Sequence, residues 1–445
     1  MIIYKNIKTK FYSLPFLYFI IFTAFSILFW FYKIPLGLMD DFKNIALVDN
    51  ITASPIKTFI EWNSERIFKR GMIQPFYLLQ VLFQYFVFQF FGSLSIYIVN
   101  NFLVLIIFYI FVVGLDIFHE KFEHAFALLI FLTYPFVFDL FVHPSLQEKY
   151  IFMLFGFSLL LLKSKSNRTW LLFIIGLSIP LIKLQGSIFI FPIFFLSKFF
   201  NNAKSKLLLS GILVGVLAQG YVIFFIESDY FIFEPSISKL INNLLNPVNI
   251  SFVLLSLVFI LVTKSYKLRN FEENLYFGMF FAGLGLVFIY SNWYIAGYLL
   301  ASYSFFVSIY ITKIFFTILN YPIKILTFLS LVLFLISSIL FFIPRLERWS
   351  DLGLLYEYIG ANQIGNIKYC SSEGVYWLNS IQNNNTFEHV NNISEIEEFE
   401  YYLLIDKFQC EQFVNLKALN KCILHKENSL KGYDSVYIVK VLCDK

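Results

Sequence analysis

The residues best suited to chemistry are few and lie early in the chain. The first group is Gly37-Leu38-Met39-Asp40-Asp41-Phe42-Lys43, an adjacent carboxylate pair just after an apolar run. Neighbouring positions do not share a helix face, so one of Asp40 and Asp41 is expected to point into a site while the other caps the helix that follows. Such a carboxylate can serve as a general base or hold a divalent cation. The second group is Glu65-Arg66-Ile67-Phe68-Lys69-Arg70-Gly71-Met72-Ile73-Gln74-Pro75-Phe76, with three cations before an apolar stretch. They are suited to phosphate, or to anchoring the stretch in an interface. The third is Asp139-Leu140-Phe141-Val142-His143-Pro144-Ser145-Leu146-Gln147-Glu148-Lys149-Tyr150, and the fourth is Lys183 within Pro180-Leu181-Ile182-Lys183-Leu184-Gln185-Gly186. Lys183 stands between two apolar runs, where a cation is costly unless it meets an anion or snorkels to water.

The elements that must position these groups follow from composition. The 445 residues are 59% hydrophobic and 14% charged, against about 45–50% and about 25% in ordinary soluble domains. A soluble fold of this length cannot hide that much apolar surface. The apolar residues also come in blocks such as Phe11–Tyr32 and Ser93–Val113, near the ~20 residues needed to cross a bilayer. The expected fold is therefore an all-α polytopic membrane protein with about 11 transmembrane helices, followed by a small α+β extracytoplasmic domain. The expected spans are 11–32, 93–115, 125–142, 150–162, 169–183, 186–200, 207–226, 248–263, 274–290, 294–312 and 324–344. The domain division is expected as 1–344 and 345–445.

Basic segments orient the chain. Lys5, Lys8 and Lys10, the loops 163–168, 198–206 and 264–269, and the pair Lys313 and Lys324 are expected on the cytoplasmic side. Met72–Phe91 carries Gln74, Pro75, Gln80, Gln84 and Gln89. Counting it as a crossing would invert the basic loops, so it is read as a re-entrant or interfacial helix within a long first outer loop, 33–92. The N-terminus is then expected in the cytoplasm and the C-terminus outside.

The four cysteines, Cys370, Cys410, Cys422 and Cys443, all fall in the polar tail. No zinc-type spacing is present, and one or two disulfides fit an oxidising compartment, with three pairings open. Short strands are expected at Asn366–Cys370, Tyr401–Ile405 and Ser435–Leu442, and helices at Gly374–Gln382 and Glu411–Leu419.

Several motifs are excluded. His119-Glu120-Lys121-Phe122-Glu123-His124 spaces its histidines by five, so they do not share a helix face as a metalloprotease motif requires. There is no phosphate-binding Gly-Lys-Ser/Thr loop and no Gly-x-Ser-x-Gly elbow. A net charge of +5 does not suggest nucleic acid.

Taken in order, Asp40-Asp41, then Arg70-Gly71-Met72-Ile73-Gln74-Pro75-Phe76-Tyr77, then Glu148 (or Asp139), then Leu181-Ile182-Lys183-Leu184-Gln185-Gly186 resemble the membrane-embedded GT-C glycosyltransferases. That class includes protein O-mannosyltransferases, the aminoarabinose transferase of lipid A and, more loosely, phage-type O-antigen glucosyltransferases. The resemblance spans residues 11–200, with Glu148 where relatives often carry Asp.

It implies transfer of one sugar from a polyprenyl-phosphate donor to a surface glycan or lipid-linked acceptor at the outer membrane face. It further implies Asp41 (or Asp40) as base, with Glu148 as a third catalytic group. Arg66, Arg70 and Lys183 would face the donor phosphate, and Asp139 and His143 would be acceptor or structural candidates. A divalent cation, if used, would sit on Asp40, Asp41 or Glu148. The alternatives are an O-antigen or capsule polymerase, which leans on large later outer loops, and a flippase or transporter, which would show repeats and deep charges.

Overall fold

A computed structural model of the chain describes residues 18–24, 53–70, 73–77, 93–110, 121–133, 147–165, 169–197, 202–225, 236–245 and 321–362, strand residues at 367–369, 387–390, 400–406, 422–426 and 436–443, and isolated positions between them. Asp40, Asp41, Asp139, His143, Cys370 and Cys410 lie outside the described residues. So do most of the expected interfacial helix, the expected span at 248–263 and most of that at 294–312, and the expected tail helices at 374–382 and 411–419.

The described residues are mostly helical. In chain order the helices are α1 (Pro55–Arg70), α2 (Ser93–Tyr109), α3 (Lys121–Thr133), α4 (Glu148–Lys163), α5 (Trp170–Ile182), α6 (Ile190–Leu196), α7 (Asn202–Phe225), α8 (Ile237–Leu245) and α9 (Tyr321–Asn362). A 3-10 turn, Leu184–Phe189, joins α5 to α6. Only one helix among them is long and apolar enough to cross a membrane by itself, at Ala203–Phe225. Shorter apolar helices occupy 98–109, 122–132, 170–182, 186–196 and 324–333. The expected crossing at 186–200 is thus a 3-10 segment followed by the seven-residue α6. The expected loop after residue 226 contains α8, whose Ile237, Ile241 and Leu245 are exposed at helical spacing.

Helices α5 and α7 run parallel and touch through glycine. A Cβ at Gly176 would lie 2.4 Å from the Leu208 carbonyl oxygen, and one at Gly211 would lie 2.3 Å from that of Phe173. At Gly215 it would meet the Pro180 ring at 2.4 Å. Gly211 and Gly215 form a Gly-x-x-x-Gly pair, the small-residue spacing that lets apolar helices approach backbone to backbone. The intervening chain returns through α6, where Gly278 packs in the same way, its Cβ position 2.3 Å from Pro192 Cα.

The chain divides into two compact units, one made of Met1–Phe22, Asn50–Phe83 and Val99–Ile339 and the other of Thr23–Asp49, Gln84–Ile98 and Leu340–Lys445. The helix at Ile339 and Leu340 does not stop: α9 is a single 42-residue helix, about 63 Å long at 1.5 Å per residue. The expected span 324–344 is therefore only its first half. Its apolar residues Ile325, Phe328, Leu329, Ile336, Ile339, Leu340 and Ile343 are exposed, whereas Leu355 and Ile359 are buried. Those two, one turn apart, join Ile364, Ile367, Tyr369, Leu404 and Ile438 in the core of the C-terminal unit.

That unit holds a mixed five-stranded sheet, β1 (Ile367–Tyr369), β2 (Phe387–His389), β3 (Glu400–Asp406), β4 (Cys422–Lys426) and β5 (Val436–Cys443), in the order β2-β1-β3-β5-β4. β2 and β3 pair parallel to β1, and β5 pairs antiparallel to β3 and β4. Three of these strands match the expected ones, while β2 and β4 add to them. The antiparallel register sets Cys422 opposite Cys443. Directly opposed positions stand about 4.5–5.5 Å apart at Cβ, within slight adjustment of disulfide geometry. Of the open pairings, the register is compatible with Cys422 joined to Cys443. Non-reducing peptide mapping is expected to recover a 422–443 crosslink; a map showing Cys422 joined to Cys370 or Cys410 would reject this register.

Candidate active site

A helix leaves its first N–H and last C=O groups without intrahelical partners, so polar side chains collect at helix ends. Glu148 is the first residue of α4, where a carboxylate meets the positive end of the helix dipole. Lys183 follows the last residue of α5 in extended conformation, φ −159° and ψ 136°. The two helix ends meet: Lys183 Nζ donates to Glu148 Oε1 at 2.5 Å. The Glu148 side chain is 2% exposed and that of Lys183 is 31% exposed, so the cation forms the accessible side of the pair. The second carboxylate oxygen, Oε2, is buried with no hydrogen-bond partner among the described residues. Two of the charges singled out from separate loops are thereby brought into one contact.

The turn after Lys183 is tight. The Gly186 N–H donates to the Lys183 carbonyl at 2.8 Å, and a Cβ at Gly186 would lie 2.6 Å from the Ile179 carbonyl oxygen. Glycine is thus required where the chain folds back on α5, and the turn fixes the backbone of Lys183. One turn earlier, the Pro180 carbonyl belongs to the unpaired group at the helix end. Gln219 of α7 satisfies it, Nε2 donating at 3.1 Å. The same side chain makes two bonds to Ile73 of the first loop: Ile73 N–H donates to Gln219 Oε1 at 3.0 Å, and Gln219 Nε2 donates to the Ile73 carbonyl at 2.6 Å. Gln219 therefore ties the first loop to the Lys183 end of α5. In Gln219→Leu the Ile73 and Pro180 groups lose this partner, at an expected cost of about 1–3 kcal/mol. Residues 73–77 are expected to become several-fold more reactive to thiol reagents in cysteine-substituted versions of that variant, and unchanged labelling would rule out the tether.

The cation of the first loop is held on an aromatic platform. The Trp62 and Tyr77 rings stack at 5.2 Å with 9° between planes. The Arg66 guanidinium carbon lies 4.5 Å from the Trp62 centroid and 5.3 Å from that of Tyr77. Planar guanidinium favours such stacking and keeps its N–H groups aimed outward along its edge. Tyr77 is linked to Gln74 by a backbone turn, N–H to O at 3.2 Å, and Gln74 follows Ile73. Arg66, Lys183 and Glu148 thus belong to one connected set of contacts. Arg70 closes α1 as its last residue.

At the other end of the same helices, Lys204 Nζ caps the Ser164 carbonyl at 2.6 Å, a cation on the negative end of α4. His124 of the excluded histidine pair is buried, and the Tyr18 hydroxyl and His124 Nε2 share a hydrogen bond of 2.7 Å.

Two elements of the site were not read from the sequence. One is Gln219. The other is the buried pair of Lys149 and Asn100: Lys149, 2% exposed, donates Nζ to Asn100 Oδ1, and Asn100 Nδ2 donates to the Leu140 carbonyl at 2.8 Å. Asn101 beside it is fully buried with both amide atoms unpartnered. The available signal was a polar residue inside an apolar run, Asn100-Asn101 in one and Gln219 in the other, since such side chains persist there when a partner or ligand takes them.

Comparison of the chain with protein-family models, curated proteins and solved structures finds no match.

Proposed function

We propose that this chain is a polytopic membrane glycosyltransferase that moves one sugar from a polyprenyl-phosphate donor to a hydroxyl acceptor at the outer face of the bacterial cytoplasmic membrane. The observation that carries the reading is the Glu148–Lys183 contact, to which Gln219 and Ile73 connect the Arg66 platform. Glu148 opens α4 and Lys183 follows α5, so this pair lies at one end of the two helices, while Lys204 caps the Ser164 carbonyl at the other end of α4. Charges kept to the ends of apolar helices suit a membrane protein whose work is done at its faces.

In this reading Asp41 (or Asp40) takes the proton of the acceptor hydroxyl as its oxygen attacks the anomeric carbon. The bond from that carbon to the phosphate oxygen breaks, and polyprenyl phosphate leaves with the electron pair. Arg66, Arg70 and Lys183 offset the charge that develops on it. Glu148 orients the acceptor. A divalent cation, if one takes part, would be held by the same carboxylates. α8, with its exposed apolar stripe, suits the membrane interface.

The test is the protein purified in detergent and given a polyprenyl-phosphate sugar. Release of polyprenyl phosphate with transfer to added acceptor is expected, and Asp41→Asn is expected to lower it by about 10²–10⁴-fold, the usual worth of a general base, while the variant elutes normally. Neither hydrolysis nor transfer by the wild-type protein would point to a transporter instead. Full activity in both Asp40 and Asp41 variants would end the mechanism.

A further inference from the structure

We propose that the Glu148–Lys183 ion pair is a latch which a phosphate group opens: on binding, the phosphate draws the Lys183 ammonium away from Glu148 and frees that carboxylate for the acceptor hydroxyl. The proposal rests on the site taking polyprenyl phosphate and adds an order of events to it.

Three observations carry it. The cation is the reachable member of the pair, 31% exposed, and the carboxylate lies behind it at 2%. An anion entering from outside therefore meets Lys183 first. The ammonium has three N–H donors on a flexible stem, and a phosphate offers more acceptor oxygens and at least equal charge. It competes with Glu148 for the same cation. Finally, Glu148 Oε2 has no donor among the described residues while Oε1 is held. Once the ammonium turns to phosphate, both oxygens of a buried carboxylate lack donors, and such a group gains strongly from an arriving hydroxyl. The carboxylate is thus offered to the acceptor only when the donor phosphate is seated. An empty site keeps it bound to Lys183. The acceptor follows the donor.

Competition fixes a sign that simple phosphate binding by Lys183 does not. If Glu148 and phosphate share one ammonium, neutralising Glu148 must tighten phosphate binding even though transfer is lost. With full-length protein in detergent, Glu148→Gln is expected to bind undecaprenyl phosphate roughly tenfold more tightly than wild type, the worth of about one charge-assisted hydrogen bond. Lys183→Met is expected to bind it more weakly, and the double variant no more tightly than Lys183→Met, because the gain passes through the ammonium.

Undecaprenol and inorganic phosphate serve as further probes. No tightening is expected on the alcohol. Tightening on inorganic phosphate as well as on the lipid means the latch reads the phosphate alone, and tightening on the lipid alone means it reads the headgroup in place.

Wild type that binds undecaprenyl phosphate, with Glu148→Gln binding equally or more weakly, overturns the latch and leaves the enzymatic reading standing. No binding by any of these proteins overturns both. Infrared difference spectra of the wild type give a reading that needs no Glu148 substitution. Adding undecaprenyl phosphate is expected to shift a carboxylate band that does not shift in Lys183→Met. The same spectrum in both proteins would overturn the proposal.

Discussion

Lys183→Met is expected to lower sugar transfer by about 10²–10³-fold, the usual loss when a fixed charge facing the transition state is removed. It is also expected to destabilise the protein. Methionine fills the same volume as the lysine stem but leaves Glu148, 2% exposed, without its cation. Removing one partner of a buried pair typically costs about 3–5 kcal/mol, far more than the pair contributes when intact. Because Lys183 is partly exposed, water can relieve some of that charge, so the lower end of the range applies. Initial rates at saturating donor and the thermal midpoint in detergent measure the two effects separately. The double variant Glu148→Gln/Lys183→Met removes both charges and is expected to regain most of the lost midpoint while remaining inactive. That combination distinguishes a structural cost from a chemical one. A Lys183→Met protein that transfers sugar at the wild-type rate would remove Lys183 from the site.

Gly211→Leu has the second large effect, and it acts on folding alone. A first side-chain carbon there would sit 2.3 Å from the Phe173 carbonyl oxygen and 2.9 Å from the Leu177 nitrogen. Backbone cannot step aside as a side chain can, so α5 and α7 must separate along their contact. Overpacking costs about 1–3 kcal/mol and more when backbone is displaced; four added carbons place this substitution at about 3 kcal/mol or above. Separation would also pull Pro180 from Gln219 and loosen the first-loop tether. Gly220, on the same helix, provides the control: no described residue lies within 4 Å of its Cβ position. Gly220→Leu is expected to stay within about 0.5 kcal/mol of wild type. Thermal midpoints of the two leucine variants should therefore differ widely, and equal midpoints would show that the glycine contact does not hold the helices.

The location of α4, α5 and α7 was legible because each is a run of apolar residues with a basic loop at one end, and the hydrogen bonds of a helix close within the run itself. The positions of Glu148 at the head of α4 and Lys183 at the foot of α5 were legible for a related reason: a charge beside an apolar segment has few places to go. The end of α9 was not legible. The change at Arg345 from apolar to charged residues was read as the end of a span. A helix backbone is indifferent to hydropathy, however, and α9 continues past Arg345 even across Pro344, which gives up one backbone hydrogen bond. Leu355 and Ile359 then find their partners in a sheet whose strands are distant in sequence. β2 and β4 escaped notice because strands of three and five residues exist only through pairing with β1 and β5.

What the sequence determined by itself was chemical character and local geometry: the apolar excess, the few charges beside apolar runs, the helices that start or end at basic loops and the change to a strand-bearing tail. What only the tertiary structure decided was partnership. That Lys183 meets Glu148, that Gln219 holds both Ile73 and Pro180, and that three glycines set how closely α5 and α7 approach all depend on residues tens to more than a hundred positions apart. No local rule specifies such contacts. They arise when helix ends with unpaired polar groups are packed together and each group takes the partner that the packing brings within reach.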